Sequence, residues 1–237
     1  MTERPFLLVV AGPNGSGKST LTNYLLDMGV DFGTYINPDE IALTLGMPEP
    51  QRSIQAQHIA DQQRDACLQK RRSFSFETVM SHQSKVEIMI RADDAGYDVT
   101  LFFVGTSDPE INVRRVENRV SSGGHDVPHE RIRARYLRSM GFLCHAALVA
   151  QRTVVFDNSA LVGYSAQRRL PDPKSGLRPV AEVIHENNRY EIVLEENIPE
   201  WVFEYLVKPL DRLAQEPGSG VGLSIRQSNG PLGTFSP

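Results

Sequence analysis

Gly12-Pro13-Asn14-Gly15-Ser16-Gly17-Lys18-Ser19 has the spacing G-x-x-x-x-G-K-[ST] of a loop that wraps phosphate. Glycines at positions 12, 15 and 17 let the backbone turn its N–H groups inward around an anion, a geometry that larger residues would resist. Lys18 is then placed to reach the β- and γ-phosphates of ATP or GTP, and the Ser19 hydroxyl to ligate Mg²⁺. Pro13, Asn14, Ser16 and Thr20 complete the expected cofactor-binding set, and the helix that follows turns its positive N-terminal end to the phosphates.

Such a loop serves GTP switches, motor and transport ATPases and small-molecule kinases alike, so the remaining residues must discriminate. A guanine-reading Asn-Lys-x-Asp is missing from the sequence, and Asp93-Asp94-Ala95-Gly96 spells D-x-x-G at a helix end, away from any strand end that could sense a γ-phosphate. Ser121-Ser122-Gly123-Gly124 weakly resembles a transporter signature, but no strand ending in Asp-Glu comes after it. A kinase must instead shield the γ-phosphoryl group from water, commonly under an arginine-bearing lid. Arg119 stands just before Gly123-Gly124, and Arg131, Arg135 and Arg138 follow at i, i+4 and i+7, one face of a helix. Guanidinium groups there can clamp phosphate oxygens, which makes Arg119 and Arg135 candidates for transition-state contacts and Arg131 and His125 candidates for substrate contacts. Transfer also needs a base for the acceptor hydroxyl. Asp39, just after a short strand, is the candidate; Glu40 reads better as a first-turn acid. Glu77 and Thr78, at the end of another strand, are candidates for holding acceptor hydroxyls, and Glu77 alternatively for a Mg²⁺-bound water or a helix cap.

Positioning these groups requires strand ends gathered at one edge. Phe6–Val10 reads as a buried parallel strand, with Leu21, Tyr24, Leu25 and Met28 at helical spacing behind the loop. Strands follow at Thr34–Asn37, Ser73–Phe76, Tyr97–Val104 and Thr153–Phe156, separated by helices from Pro38, over Ser53–Lys70, over Lys85–Ala95, after the Ser107/Glu110 capping-box spacing, and over His129–Gln151. This alternation predicts an α/β three-layer P-loop kinase fold with a parallel central sheet and a helical lid over about 114–140. Asp157, ending the fifth strand, is expected near the adenine. Beyond Pro171-Asp172-Pro173, Val180–Ile184 and Arg189–Leu194 flank Glu186-Asn187-Asn188 as an appended C-terminal β-hairpin, and Pro199-Glu200-Trp201 opens a last helix to about Leu213. The kinase domain is thus expected over 1–214, with a disordered tail from 215, where Gly, Ser and Pro dominate.

The chain has 237 residues, 40% of them apolar, enough for one α/β core, and a net charge of −4 that disfavours a broad nucleic-acid footprint. Cys67 and Cys144 are too few for a disulfide framework, and no stretch suits a membrane span, so a cytoplasmic protein with buried thiols and no membrane partner is expected. The six histidines show no metal-ligand spacing with cysteine or carboxylate.

From Phe6 to Asn158 the chain resembles the zeta toxin family of P-loop kinases: the phosphate loop, Asn37-Pro38-Asp39-Glu40, Phe76-Glu77-Thr78, Gly96-Tyr97 before a strand, and Gly123-Gly124-His125-x-Val127-Pro128 ahead of an arginine-rich helix occur in the family's order. The resemblance implies that Asp39 is the general base, Glu77 the acid touching the acceptor, and Lys18 with the lid arginines the phosphate clamp. It further implies ATP and Mg²⁺ as cofactors, the 3′-hydroxyl of UDP-N-acetylglucosamine as acceptor, and a small helical antitoxin as partner. Gly123-Gly124-His125 stands where better-known members carry an arginine-containing segment. A kinase for another small hydroxyl compound, an end-modifying nucleic-acid kinase and a nucleotide-gated binding protein without turnover are the competing readings.

Overall fold

The structure is a computed structural model describing residues 4–121, 127–160, 176–230 and 232. Strand β1 (Phe6–Ala11) runs into the phosphate loop and helix α1 (Lys18–Asp27); β2 (Thr34–Ile36), α2 (Pro38–Leu43), α3 (Gln51–Gln69), β3 (Phe74–Thr78), α4 (Ser84–Asp94), β4 (Asp98–Gly105), α5 (Pro109–Ser121), α6 (His129–Val149) and β5 (Arg152–Asp157) follow. The sheet order is β2-β3-β1-β4-β5, all parallel, extended by β6 (Arg178–Glu186), β7 (Arg189–Leu194) and β8 (Gly222–Gln227). Because the chain leaves β1 for one flank and returns to the other through β4, the loop after β1 sits where an open parallel sheet forms its ligand crevice.

Alternation along the strands makes the three layers. Leu7, Val9 and Ala11 of β1, Phe74 and Phe76 of β3 and Leu101 and Phe103 of β4 face α3, α4 and α6, whereas Leu8, Val10, Phe102, Val104, Val154 and Phe156 face Leu21 and Leu25 of α1. Both sheet faces are covered, which is why these strands read as continuous apolar runs. Arg64 of α3 is an exception, almost wholly buried, ion-paired with Asp61 and stacked 5.0 Å from the Phe76 ring centroid. Cys67 and Cys144 are free and buried, and burial pushes the Cys144 thiol up to about 11. Among the described residues no helix is long and apolar enough to cross a membrane.

The C-terminal half departs from expectation in two places. β6 and β7 do form the antiparallel hairpin, turning through Asn187 and Asn188 at φ 50 and 60. The expected single last helix is instead α7 (Glu200–Val202), a wider π turn over Phe203–Val207 and α8 (Lys208–Gln215). Pro209 lacks an N–H and crowds the carbonyl four residues back, so the helix widens just ahead of it. The segment from 216, expected to be disordered, supplies β8, parallel to β7 with Ile192 opposite Ile225. Leu223 and Val221 pack against the main core, a short apolar alternation that composition alone concealed. Pro171-Asp172-Pro173 lies outside the described residues.

Candidate active site

The phosphate loop is held in shape from outside. Gly12, Gly15 and Gly17 have φ of 144, 72 and 105, and the Asn14 and Ser16 carbonyls between and beside them are bonded from outside the loop. Two asparagines receive them: Asn112 of α5 donates to the Asn14 carbonyl at 2.6 Å, and Asn158 after β5 donates to the Ser16 carbonyl at 2.7 Å. Thr106 in turn donates to the Asn112 side chain, and the Gly12 N–H bonds the Thr78 carbonyl at 3.2 Å. A Cβ on Gly15 would stand 2.7 Å from the Asn112 carbonyl oxygen, and one on Gly12 or Gly17 would collide with the Val104 carbonyl or the Asn158 amide. Asn14 Oδ1 and Ser16 Oγ are buried without a partner among the described residues, polar atoms left over inside the loop.

Helix α1 begins at Lys18 with no acidic residue in its first turn, so its positive end is unopposed there. The half-buried Lys18 lays its ammonium across the loop onto the carbonyls of Gly12 and Pro13, each at 3.0 Å. Desolvation lowers its pKa to about 8, against the opposing pull of the Glu77 and Asp39 carboxylates and with the help of the Arg119 charge. Those three charges bear on one ammonium although they come from β3, α2 and α5.

Glu77 is the hub of the site. Register places it beside Val10, near the end of β1, and its carboxylate accepts from Thr22 at 2.7 Å, Tyr35 at 2.9 Å and Ser19 at 3.1 Å. With its proton directed at Glu77, the Ser19 hydroxyl offers only lone pairs to the other side, which is what a hard divalent cation requires of it. Ser19 and Glu77 therefore fit a Mg²⁺ site in donor chemistry. Asn37 caps α2 through the Asp39 N–H at 3.0 Å, Pro38 fills the first helical position, and Asp39 and Glu40 occupy the first turn. Asp39 remains exposed and has no side-chain hydrogen bond among the described residues, whereas Glu40 accepts from Asn37 at 3.3 Å.

The lid candidates divide. Arg133 of α6 makes a two-pronged bond to Glu110 of α5 at 2.6 and 2.9 Å, and His129 meets Glu117 at 3.0 Å, so α5 and α6 pair antiparallel with Arg119 and Arg131 toward the same end. Arg131, Arg135 and Arg138 have no carboxylate partner among the described residues. Desolvation, then the charges of Arg131 and Arg138, lowers the Arg135 pKa, as expected where positive charge crowds one helix face. No hydrogen bond joins Arg131 or Arg135 to the loop in this structure, and only Arg119 reaches Lys18 electrostatically. His125 and the glycines at 123 and 124 lie outside the described residues. Thr78 serves the backbone, its hydroxyl accepting from the Met80 N–H at 3.0 Å. Thr20 is exposed on α1.

One reading needs correction. Ser107 does not cap α5: its N–H bonds the Ser159 hydroxyl at 2.8 Å, and Asp108 accepts from the Glu110 N–H at 2.8 Å instead. Asp157, at the end of β5, is buried and accepts from Ser159 and, at 3.1 Å, from the Trp201 indole, whose ring lies against Gly105. Asn112 and Asn158 carry no sequence signal, since a lone asparagine whose partner is a distant backbone carbonyl leaves no spacing pattern.

The zeta toxin family model matches residues 51–169, half of the chain, a segment holding Glu77, Asn112, Arg119 and Asn158. The chain belongs to the zeta toxin family. It is accordingly a member of a kinase-type phosphotransferase family, and its phosphate loop and Asp39 lie ahead of the matched segment. An uncharacterized protein of Haemophilus influenzae is 32% identical over 126 residues, 53% of this chain and 88% of that one. Among solved structures, the AvrRxo1-ORF1:-ORF2 complex with ATP is similar at a TM-score of 0.55 and 15% identity, covering 77% of this chain and 59% of that one, a likeness of fold. The PezAT toxin-antitoxin system of Streptococcus pneumoniae aligns at a TM-score of 0.48 and 14% identity, over 73% of this chain and 77% of that one.

Proposed function

We propose that this zeta family member is an ATP-dependent kinase that transfers the γ-phosphoryl group to a hydroxyl of a small acceptor, and that the acceptor is UDP-N-acetylglucosamine. The observation carrying the reading is that Glu77, Asp39 and Arg119, from three separate elements, all bear on the Lys18 ammonium beside a loop shaped for phosphate. A binding protein without turnover needs the lysine and the loop but no exposed, unbonded carboxylate next to them.

In this mechanism the loop N–H groups and Lys18 hold the β- and γ-phosphates, and Lys18 exchanges its two carbonyl partners for phosphate oxygens. Ser19, oriented by Glu77, would hold Mg²⁺, which would supply positive charge to offset that of the phosphates. Asp39 accepts the proton of the acceptor hydroxyl as the loose transition state resolves. Arg119 adds positive charge at the terminal phosphate, and Arg131 and Arg135 join it when α5 and α6 close over the nucleotide. The UDP-amino-sugar acceptor rests on family membership, as do a toxic role in the cytoplasm and a small helical antitoxin that blocks the site.

Purified protein is incubated with Mg-ATP and a panel of sugar nucleotides, small alcohols and aminoglycosides, and each is analysed for a mass gain of one phosphate. The reading expects UDP-N-acetylglucosamine to gain it, and Asp39→Asn to lower kcat by roughly 10²- to 10⁴-fold with ATP affinity kept. Phosphorylation of another panel member alone removes the acceptor; wild-type turnover by Asp39→Asn removes the base.

A further inference from the structure

Tyr35 is the residue through which the two halves of the site touch. Its hydroxyl donates to Glu77 Oε1 at 2.9 Å and accepts from Asn37 Nδ2 at 3.2 Å. Glu77 is also bonded to Ser19 and Thr22 of α1; Asn37 is also bonded to the Asp39 N–H. A continuous chain of hydrogen bonds therefore runs from the Ser19 hydroxyl, through one carboxylate, one phenol and one amide, to the backbone of Asp39. Nothing else among the described residues links α1 and β3 to the start of α2 by side-chain bonds.

We infer that Tyr35 is a positioning residue for phosphoryl transfer, fixing the distance between the phosphate-and-metal side of the site and the loop that carries Asp39. The inference rests on the kinase reading above. Three features of the residue suit it to this task. Its ring is set edge-on against Phe32, centroids 5.8 Å apart at 82°, so the hydroxyl has little freedom to wander. Strand pairing fixes its backbone, with Tyr35 opposite Ser75 and Ile36 opposite Phe76, one residue before Glu77. Its hydroxyl is held from two sides, by Glu77 at 2.9 Å and by Asn37 at 3.2 Å, so it is engaged both as donor and as acceptor. The polarity of the chain is fixed as well. Asn37 can only donate its amide N–H to Tyr35, because its amide oxygen is already engaged with Asp39, and Tyr35 can then only donate to Glu77.

Removing the phenol oxygen leaves Glu77 with two donors and Asn37 with the long bond to Glu40 alone on that side. The loop and Lys18 are untouched, so ATP should still bind, but Asp39 is no longer held at a set distance from the phosphorus. A displacement approaching 1 Å in such a site costs roughly 10²-fold in rate.

The test uses the full chain and three kinds of measurement. Tyr35→Phe is expected to lower kcat roughly ten- to hundredfold while KM for ATP and the equilibrium affinity for a fluorescent ATP analogue change by less than about twofold. Asn37→Ser, which keeps a competent helix cap but lacks the amide donor, is expected to reproduce that loss. In the Asp39→Asn background, Tyr35→Phe is expected to add nothing further to the loss, since both act on the same alignment. Hydrogen exchange supplies a readout independent of turnover: the Asp39 amide should exchange faster in Tyr35→Phe, while amides at the centre of β1 should not. Wild-type kcat in a folded Tyr35→Phe, or parallel loss of kcat and ATP affinity in both variants, overturns the inference and leaves the kinase reading standing. Absence of transfer by the wild-type protein to every acceptor overturns the kinase reading, and the inference falls with it.

Discussion

Lys18 should give the enzyme an alkaline limb that an ordinary lysine would not. In the free protein its ammonium is desolvated beneath the phosphate loop and titrates at about 8, well below its ordinary value of 10.5. Binding of the nucleotide phosphates needs the charged form, so kcat/KM for ATP follows the protonated fraction of the free enzyme. That fraction is about 0.9 at pH 7 and about 0.09 at pH 9 for a group titrating at about 8. An expected fall of about tenfold results, against about 3% for a lysine at 10.5. Once bound, the phosphates hold the proton on Lys18, so kcat itself should stay level across the same range. Initial rates at pH 6.5 to 9.5 with varied ATP separate the two parameters. Glu77→Gln deletes the charge that most opposes the shift, so the midpoint of the limb should move below that of the wild type whatever its absolute rate. Lys18→Arg, charged throughout, should lose the limb. The same shift has a stability consequence: since the folded-state value lies below the unfolded one, the unfolded chain holds more protons between about 8 and 10.5, and apoprotein stability from this group rises with pH across that window. Below pH 8 the desolvated charge is a cost, and Lys18→Met should raise the apoprotein's Tm by roughly 2 °C at pH 7 while abolishing transfer. A kcat/KM that stays flat to pH 9.5, or a limb unmoved by Glu77→Gln, refutes the account of Lys18.

Two further outcomes follow from the lid and the loop. Arg119→Ala and Arg135→Ala should each lower kcat by roughly 10³-fold, the scale of a lost transition-state guanidinium, whereas Arg133→Ala, whose charge is already matched by Glu110, should leave kcat near wild type; steady-state kinetics decides between them. Gly15→Ala, forced to φ 72 with its Cβ 2.7 Å from the Asn112 carbonyl, should cost roughly 1–3 kcal/mol in denaturant unfolding and weaken ATP-analogue binding.

What the sequence revealed was whatever is encoded at short range. The glycine spacing, the apolar run ahead of it and the proline at the first position of α2 each act within a few residues, and the parallel core β1 to β5 follows from their alternation with helices. Features that depend on a distant partner were lost. Asn112 and Asn158 meet loop carbonyls 98 and 142 positions away in sequence, and no local pattern announces either. The capping box at Ser107 looked complete because its spacing is correct, but the adjacent Asp108 competes for the same N–H groups and Glu110 is drawn to Arg133. β8 was missed for a related reason: its six residues carry little apolar signal, and order comes from the free edge of β7.

The loop's glycines carry two burdens that the sequence pattern does not separate. One is the inward turn of N–H groups toward an anion, which explains why small residues are required but not why these three positions exclude even a methyl group. The other is packing from behind. A backbone that turns its N–H groups inward turns carbonyls outward, where burial would leave them unsatisfied unless donors approach closely. Asn112 and Asn158 come that close to the loop, at 2.6 and 2.7 Å, and each occupies the space that a Cβ on Gly15 or Gly17 would need. Gly12 is closed off in the same way by the Val104 carbonyl of β4. The loop is thus rigid before any nucleotide arrives, clamped by α5 on one side and the end of β5 on the other. Shape is set by those clamps and charge by Lys18, so the two should separate by mutation: Asn158→Ala should loosen the loop and weaken ATP while leaving the alkaline limb where Lys18 puts it. A limb that moved with Asn158 would mean that the clamp also governs how deeply the ammonium is buried.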